Sequence, residues 1–128
     1  MPNPPHSQNW PRWFDPRNRS LGSIAFILNR ITALGLTLYL MLHLIALGQL
    51  AQGAEVYDNF ISLVNTPLFK FGELLVIAAG IIHGLNGIRI ALNSFGIGVR
   101  YQRSMFISLM ALALVLIIFF AYKMFMEA

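Results

Sequence analysis

Three long apolar stretches dominate this chain: Ser23 to Leu50, with Asn29, Arg30 and His43 as its strongest polar interruptions, then Phe71 to Leu92, then Met105 to Tyr122. A helix needs about 20 predominantly apolar residues to cross ~30 Å of hydrocarbon, and each stretch reaches that length, the third narrowly. A soluble protein tolerates a helix that is apolar all round only inside a large core, and 128 residues cannot supply the polar surface to wrap three of them. Only 11% of the residues are charged, against roughly a quarter in an ordinary soluble domain, so water is not the solvent this surface is made for. The expected fold is all-α and integral to the membrane, with three transmembrane helices. These span residues 23–50, 71–92 and 105–122 of an anchor domain, 23–128, behind a leader of residues 1–22.

The net charge of +4 is spread over helix ends and forms no single patch, which argues for membrane topology and against nucleic acid. Arg12, Arg17 and Arg19 precede the first span and Arg30 lies just inside it. Arg89 closes the second span, and Arg100 and Arg103 follow it. The opposite ends carry Glu55, Asp58, Lys70 and Glu73, and the tail Lys123 and Glu127. The positive-inside rule then places the N-terminus in the cytoplasm and the C-terminus outside. The first stretch is far longer than the apolar run of a secretory signal, so it is expected to be retained. The leader mixes prolines and arginines with Trp10, Trp13 and Phe14, which suits a membrane interface or a docking surface for a cytoplasmic partner. Thr66-Pro67 and the segment Asn93 to Gly98 supply the breaks on either side of the second span.

Ionisable groups inside a bilayer are costly and mark function by default, and here they are Arg30, His43, His83 and Arg89. Each also has a plain structural explanation. Arg89 lies close enough to the polar loop to snorkel to the interface, or it serves an anionic group. His43, between Leu42 and Leu44, suits a hydrogen bond to another helix. His83 sits midway along the second span, and at ~100° per residue Gly80, Gly84 and Gly87 fall beside it. Such glycines form either a helix-packing seam or a slot for a flat macrocycle whose iron the imidazole binds. With no cysteine in the chain, iron must be held by nitrogen. Ser23 lies on nearly the same face as Arg30, and the two suit a lipid headgroup or the carbonyl oxygen of a quinone.

The segment His83-Gly84-Leu85-Asn86-Gly87-Ile88-Arg89 resembles the His-x-x-x-Gly-x-Arg signature of the cytochrome b subunit of succinate dehydrogenase, and the stretch Ser23 to Thr32 is similar to that family's first-helix quinone segment. The resemblance runs from about Ser23 to Gly96. It implies a membrane anchor binding haem b, with His83 as axial iron ligand, His43 as ligand of a second haem where two are bound, and Arg89 at a haem propionate. Arg30 and Ser23 would contact quinone. It further implies a flavoprotein subunit, an iron-sulfur subunit and a second membrane anchor as partners, in a bacterial cytoplasmic membrane or the mitochondrial inner membrane.

If Arg30 and Arg89 both mark the cytoplasmic boundary, His43 and His83 differ in depth by about 10 Å and cannot share one iron. Each would then need an imidazole from elsewhere, since His6 lies in the leader. The chain has neither a Gly-x-Gly-x-x-Gly loop nor cysteines for an iron-sulfur cluster, so it is expected to carry electrons without itself oxidising succinate. An anchor of a quinol:fumarate reductase fits the same residues. A stand-alone haem cytochrome and a non-redox helical membrane protein, in which the histidines serve packing or proton relay, stay open.

Overall fold

The computed structural model describes residues 20–126 and shows four α-helices: α1 (Leu21–Leu50), α2 (Ala54–Val64), α3 (Pro67–Ser94) and α4 (Gln102–Met126). The expected leader, with Arg12, Trp10 and Trp13, lies outside the described residues, apart from its last few positions, which open α1. Helices α1 and α3, and α4 with the turn before it, are long and apolar enough to cross a membrane, as the three apolar stretches predict.

Local chemistry sets the start of α1 and both ends of α3. The Ser20 side chain caps α1 by accepting the Ser23 N–H at 3.4 Å. Thr66 does the same for α3, accepting the Phe69 N–H at 3.4 Å, and Pro67 occupies the first helical position, where a missing N–H costs nothing. Helix α3 stops at a left-handed glycine, Gly96 at φ 78°, with the Ile97 N–H closing back onto the Leu92 carbonyl at 2.9 Å. A second left-handed glycine, Gly98 at φ 71°, leads into a 3-10 turn over Val99–Tyr101 that feeds α4.

The segment between the first two apolar stretches, too short and polar to span, contains α2. Gly53, at φ 122°, turns the chain out of α1, and Glu55 in the first turn of α2 complements the helix dipole. The apolar residues of α2 (Val56, Phe60, Ile61, Leu63, Val64) share the helix with Glu55, Asp58 and Asn59, the composition of a helix at a bilayer surface.

Helix α3 is the centre of the bundle, packing on α1 along one face and on α4 along another, while α1 and α4 scarcely meet. Little is buried. Among the described residues the buried apolar side chains are Ala25, Ile27, Phe106 and Ala113, and the buried polar ones are Thr32, Asn86 and Arg89. Large apolar residues such as Leu34, Leu38, Leu114 and Ile118 are exposed along the spans, where lipid or a neighbouring subunit is their solvent. Lipid tails are as apolar as leucine, so apolar burial does little to hold these helices together, and small residues and interhelical hydrogen bonds take over.

The best buried of those bonds is made by Asn86, which is wholly inaccessible. Its amide N–H donates to the Ala25 carbonyl of α1 at 3.1 Å, and its Oδ1 accepts from Arg89 Nε at 3.0 Å. Asn86→Leu removes both bonds and leaves the Arg89 Nε–H unpaired inside the bundle, a loss of about 1–2 kcal/mol. Reversible unfolding in mixed micelles measures it, and an unchanged midpoint would mean that Asn86 does not hold α1 to α3.

Candidate functional site

Helix α3 sets His83 against the polar step of α1. The His83 Nδ1 lies 3.2 Å from the backbone carbonyl oxygen of Asn29 and 3.2 Å from the Thr32 hydroxyl. A carbonyl oxygen only accepts, so Nδ1 carries the proton and donates it. The Thr32 hydroxyl hydrogen is already directed back along its own helix, to the carbonyls of Leu28 at 2.8 Å and Asn29 at 3.0 Å. Towards Nδ1 that oxygen therefore also accepts. With the proton fixed on Nδ1, Nε2 bears the lone pair, and it makes no hydrogen bond among the described residues. An imidazole held by a carbonyl through one nitrogen and bare at the other is the state in which histidine binds a metal.

The glycines beside His83 face open space. A Cβ added at Gly80, Gly84 or Gly87 would meet nothing within 4 Å. At ~100° per residue, all three lie within about 40° of the direction opposite Arg89, the residue that points to α4. They are thus not a seam between the described helices, and no described residue covers the flank of α3 that they form. In an antiparallel pair of right-handed helices, the residue following each contact residue turns to the same side. Gly84 follows His83, Gly87 follows Asn86, and Arg30 follows Asn29, so Arg30 opens onto that same flank.

Arg30 is exposed, with its guanidinium 4.4 Å above the Phe26 ring one turn back. The hydrogen bonds correct its assumed depth. Asn29 is level with His83 and Ala25 with Asn86, so Arg89 is level with about Ser23, while Arg30 lies roughly 10 Å deeper, near His83. Ser23 belongs to the N-terminal turn of α1, its hydroxyl 3.2 Å from that of Ser20, and the chain does not bring it to Arg30. Arg89 is buried and turned away from His83 towards α4, held by Asn86, with its guanidinium 5.6 Å from the Phe106 ring centroid. It is packed inside the bundle, not snorkelling at its edge.

His43 is exposed near the far end of α1, stacked on Tyr39 with ring centroids 5.4 Å apart and the Tyr39 hydroxyl 3.5 Å from Nδ1. By the same register, it lies level with the first turn of α3, about 16–21 Å from His83 along the helix axes. That is deeper than the separation of about 10 Å expected from placing the two arginines at one level, and it keeps the two histidines apart.

Two contributors were not singled out from sequence as holding His83, the Asn29 carbonyl and the Thr32 hydroxyl, nor was Asn86, one turn away, as tying α3 to α1. Neutral amides and hydroxyls carry no charge to mark them within an apolar run, although they too need partners where water is absent. The Asn29 side-chain oxygen is itself buried without a hydrogen-bond donor among the described residues, an unmet demand beside His83.

The family model described as the succinate dehydrogenase/fumarate reductase transmembrane subunit matches residues 2–121. The chain is similar to the succinate dehydrogenase hydrophobic membrane anchor subunit of Halobacterium salinarum, with 30% identity over 100 residues that make up 77% of each chain. It is also similar to the succinate dehydrogenase 2 membrane subunit SdhC of Mycobacterium tuberculosis, with 31% identity over 85 residues, 66% of this chain and 62% of that one. With three helices fit to span a bilayer and sequence similarity along nearly its whole length, the chain belongs to the family of succinate dehydrogenase and fumarate reductase transmembrane subunits.

Proposed function

We propose that this membrane anchor subunit binds haem b through His83 Nε2 and helps form the quinone site of a succinate:quinone oxidoreductase. The observation that carries the proposal is the hydrogen bond from His83 Nδ1 to the Asn29 carbonyl, which selects the tautomer able to ligate iron. The open glycine flank supports it, since a macrocycle lies flat only where no side chain stands. When bound, the haem supplies a one-electron carrier within the membrane.

The chain's own residues do the rest. Asn29 and Thr32 orient the imidazole. The three glycines admit a flat group to the α3 backbone. Arg30, opening on the same flank at similar depth, offers guanidinium N–H groups to a quinone carbonyl oxygen. A cation exposed on the outside of a single chain at that depth calls for such a polar partner, because bare hydrocarbon is a costly neighbour. Ser23 stands nearer the membrane surface, at the quinone entrance. Arg89 packs against Phe106 of α4, and its guanidinium would supply positive charge to a haem propionate.

His43 would hold a second haem in this reading. The N-terminus is cytoplasmic, so that flavoprotein and iron-sulfur partners deliver electrons on the side of Arg30, Arg89, Arg100 and Arg103. The direction of turnover, succinate oxidation or fumarate reduction, depends on the potentials of quinone and haem in the assembled complex.

Reduced-minus-oxidised spectra of the purified complex test the ligands. His83→Ala is expected to abolish one b-type haem per copy of this chain, and His43→Ala to abolish a second. Retention of all haem in His83→Ala would refute the assignment, and retention in His43→Ala would leave His43 a structural partner of Tyr39. Gly84→Leu tests the slot. Among the described residues, nothing beyond the neighbouring backbone of α3 stands within 4 Å of the new Cβ, so the three helices should pack normally while haem content falls severalfold. Unchanged haem would move the slot elsewhere. Arg30→Ala should cut quinone reduction by roughly tenfold or more, the loss of about 1.4 kcal/mol or more from one charged hydrogen bond. Normal quinone kinetics in that variant would remove Arg30 from the site.

A further inference from the structure

The two acceptors at His83 Nδ1 are of different kinds. The Asn29 carbonyl belongs to the backbone, and substitution of the side chain leaves it in place. The Thr32 hydroxyl is a side-chain group, buried, one turn further along the same helix, and its single hydrogen is committed to the α1 backbone at 2.8 Å and 3.0 Å. Its lone pairs are consequently aimed across the helix interface at the imidazole, 3.2 Å away. Back-bonding of this kind is common for threonine within helices, but here it has a consequence beyond its own helix: it fixes which way the hydroxyl dipole points.

We propose that Thr32 is a positioning residue for the His83 imidazole, acting as a second hydrogen-bond acceptor at Nδ1 that tunes the potential of the group bound at Nε2. Two acceptors on one N–H draw its proton outward and leave more electron density on the ring. A more electron-rich imidazole binds the oxidised metal better than the reduced one, so Thr32 lowers the midpoint potential. The hydroxyl does this without introducing charge, which a carboxylate in the same position would do at considerable cost inside the bilayer. The inference rests on His83 being a haem ligand.

Potentiometric titration of the haem in the purified complex, with haem counted per copy of this chain, tests it in three variants. Thr32→Val keeps the shape and removes the hydroxyl, Thr32→Ser keeps the hydroxyl, and Thr32→Ala covers the case in which valine prevents assembly. The expected result is haem retained throughout, with Thr32→Ser close to wild type. Thr32→Val and Thr32→Ala should shift upward by up to about tenfold in the ratio of reduced to oxidised haem at a fixed ambient potential, equivalent to ~59 mV for one electron. Haem bound with an unchanged potential in Thr32→Ala, or a potential in Thr32→Ser displaced as far as in the variants lacking a hydroxyl, overturns the role of Thr32 and leaves the ligand assignment intact. Haem unaffected by His83→Ala in the same series overturns the ligand assignment and this proposal with it.

Discussion

The arrangement depends on a short ladder of hydrogen bonds in which side chains of α3 reach backbone carbonyls of α1: His83 to Asn29, and Asn86 to Ala25. In water, apolar burial would set the packing of two such helices, and polar contacts would refine it. In lipid the surrounding solvent is itself apolar, so sliding or rotating α3 against α1 costs little apolar burial, and directional bonds with close packing at small residues such as Ala25 fix the register. Once His83 and Asn86 are seated, the depths of the remaining polar groups follow. Arg30 comes level with His83, Arg89 turns to α4, and the glycines are left on the uncovered flank. Site and fold are held by the same two rungs.

Much of this was legible in the sequence because the bilayer imposes a coarse rule. A run of apolar residues long enough to span it becomes a helix, and Thr66-Pro67 and Gly96 mark its limits. Helix α2 was not legible in the same way. Eleven residues with Glu55, Asp58 and Asn59 carry too little apolar length to span and too many polar groups to stand out on hydropathy. The depth of Arg30 was misjudged for a related reason. A positive charge near a helix end reads as a boundary marker, and nothing in a single sequence says which residue of α3 stands opposite it. Register belongs to pairs of helices, and here it is written in Asn86 and in backbone carbonyls that look identical at every position of a sequence.

The exposed surface shows what the chain is made to be part of. Leu34, Leu38 and Leu114 ask only for an apolar neighbour, and lipid satisfies them. Arg30, His43 and the bare flank beside His83 are different: His43 has only the Tyr39 hydroxyl at 3.5 Å and Arg30 only the face of the Phe26 ring among the described residues, and both point outward within apolar helices. Family membership as one transmembrane subunit of a larger oxidoreductase gives that exposure a natural answer, because further partners can come from a neighbouring subunit or from bound cofactor and substrate.

Why backbone carbonyls serve as the acceptors follows from the solvent. In soluble metalloproteins a carboxylate often steadies the far nitrogen of a ligating histidine, but a carboxylate in hydrocarbon adds a charge that must itself be neutralised. A helical carbonyl has a second lone pair after making its own helix bond, and it offers that pair without leaving anything newly unsatisfied. Asn29 and Ala25 contribute oxygens of this kind. Thr32 extends the principle, since its hydroxyl first satisfies its hydrogen on the backbone of α1 and then presents only acceptor character to α3. The imidazole is thereby oriented and its tautomer chosen with no net charge added at its depth in the membrane.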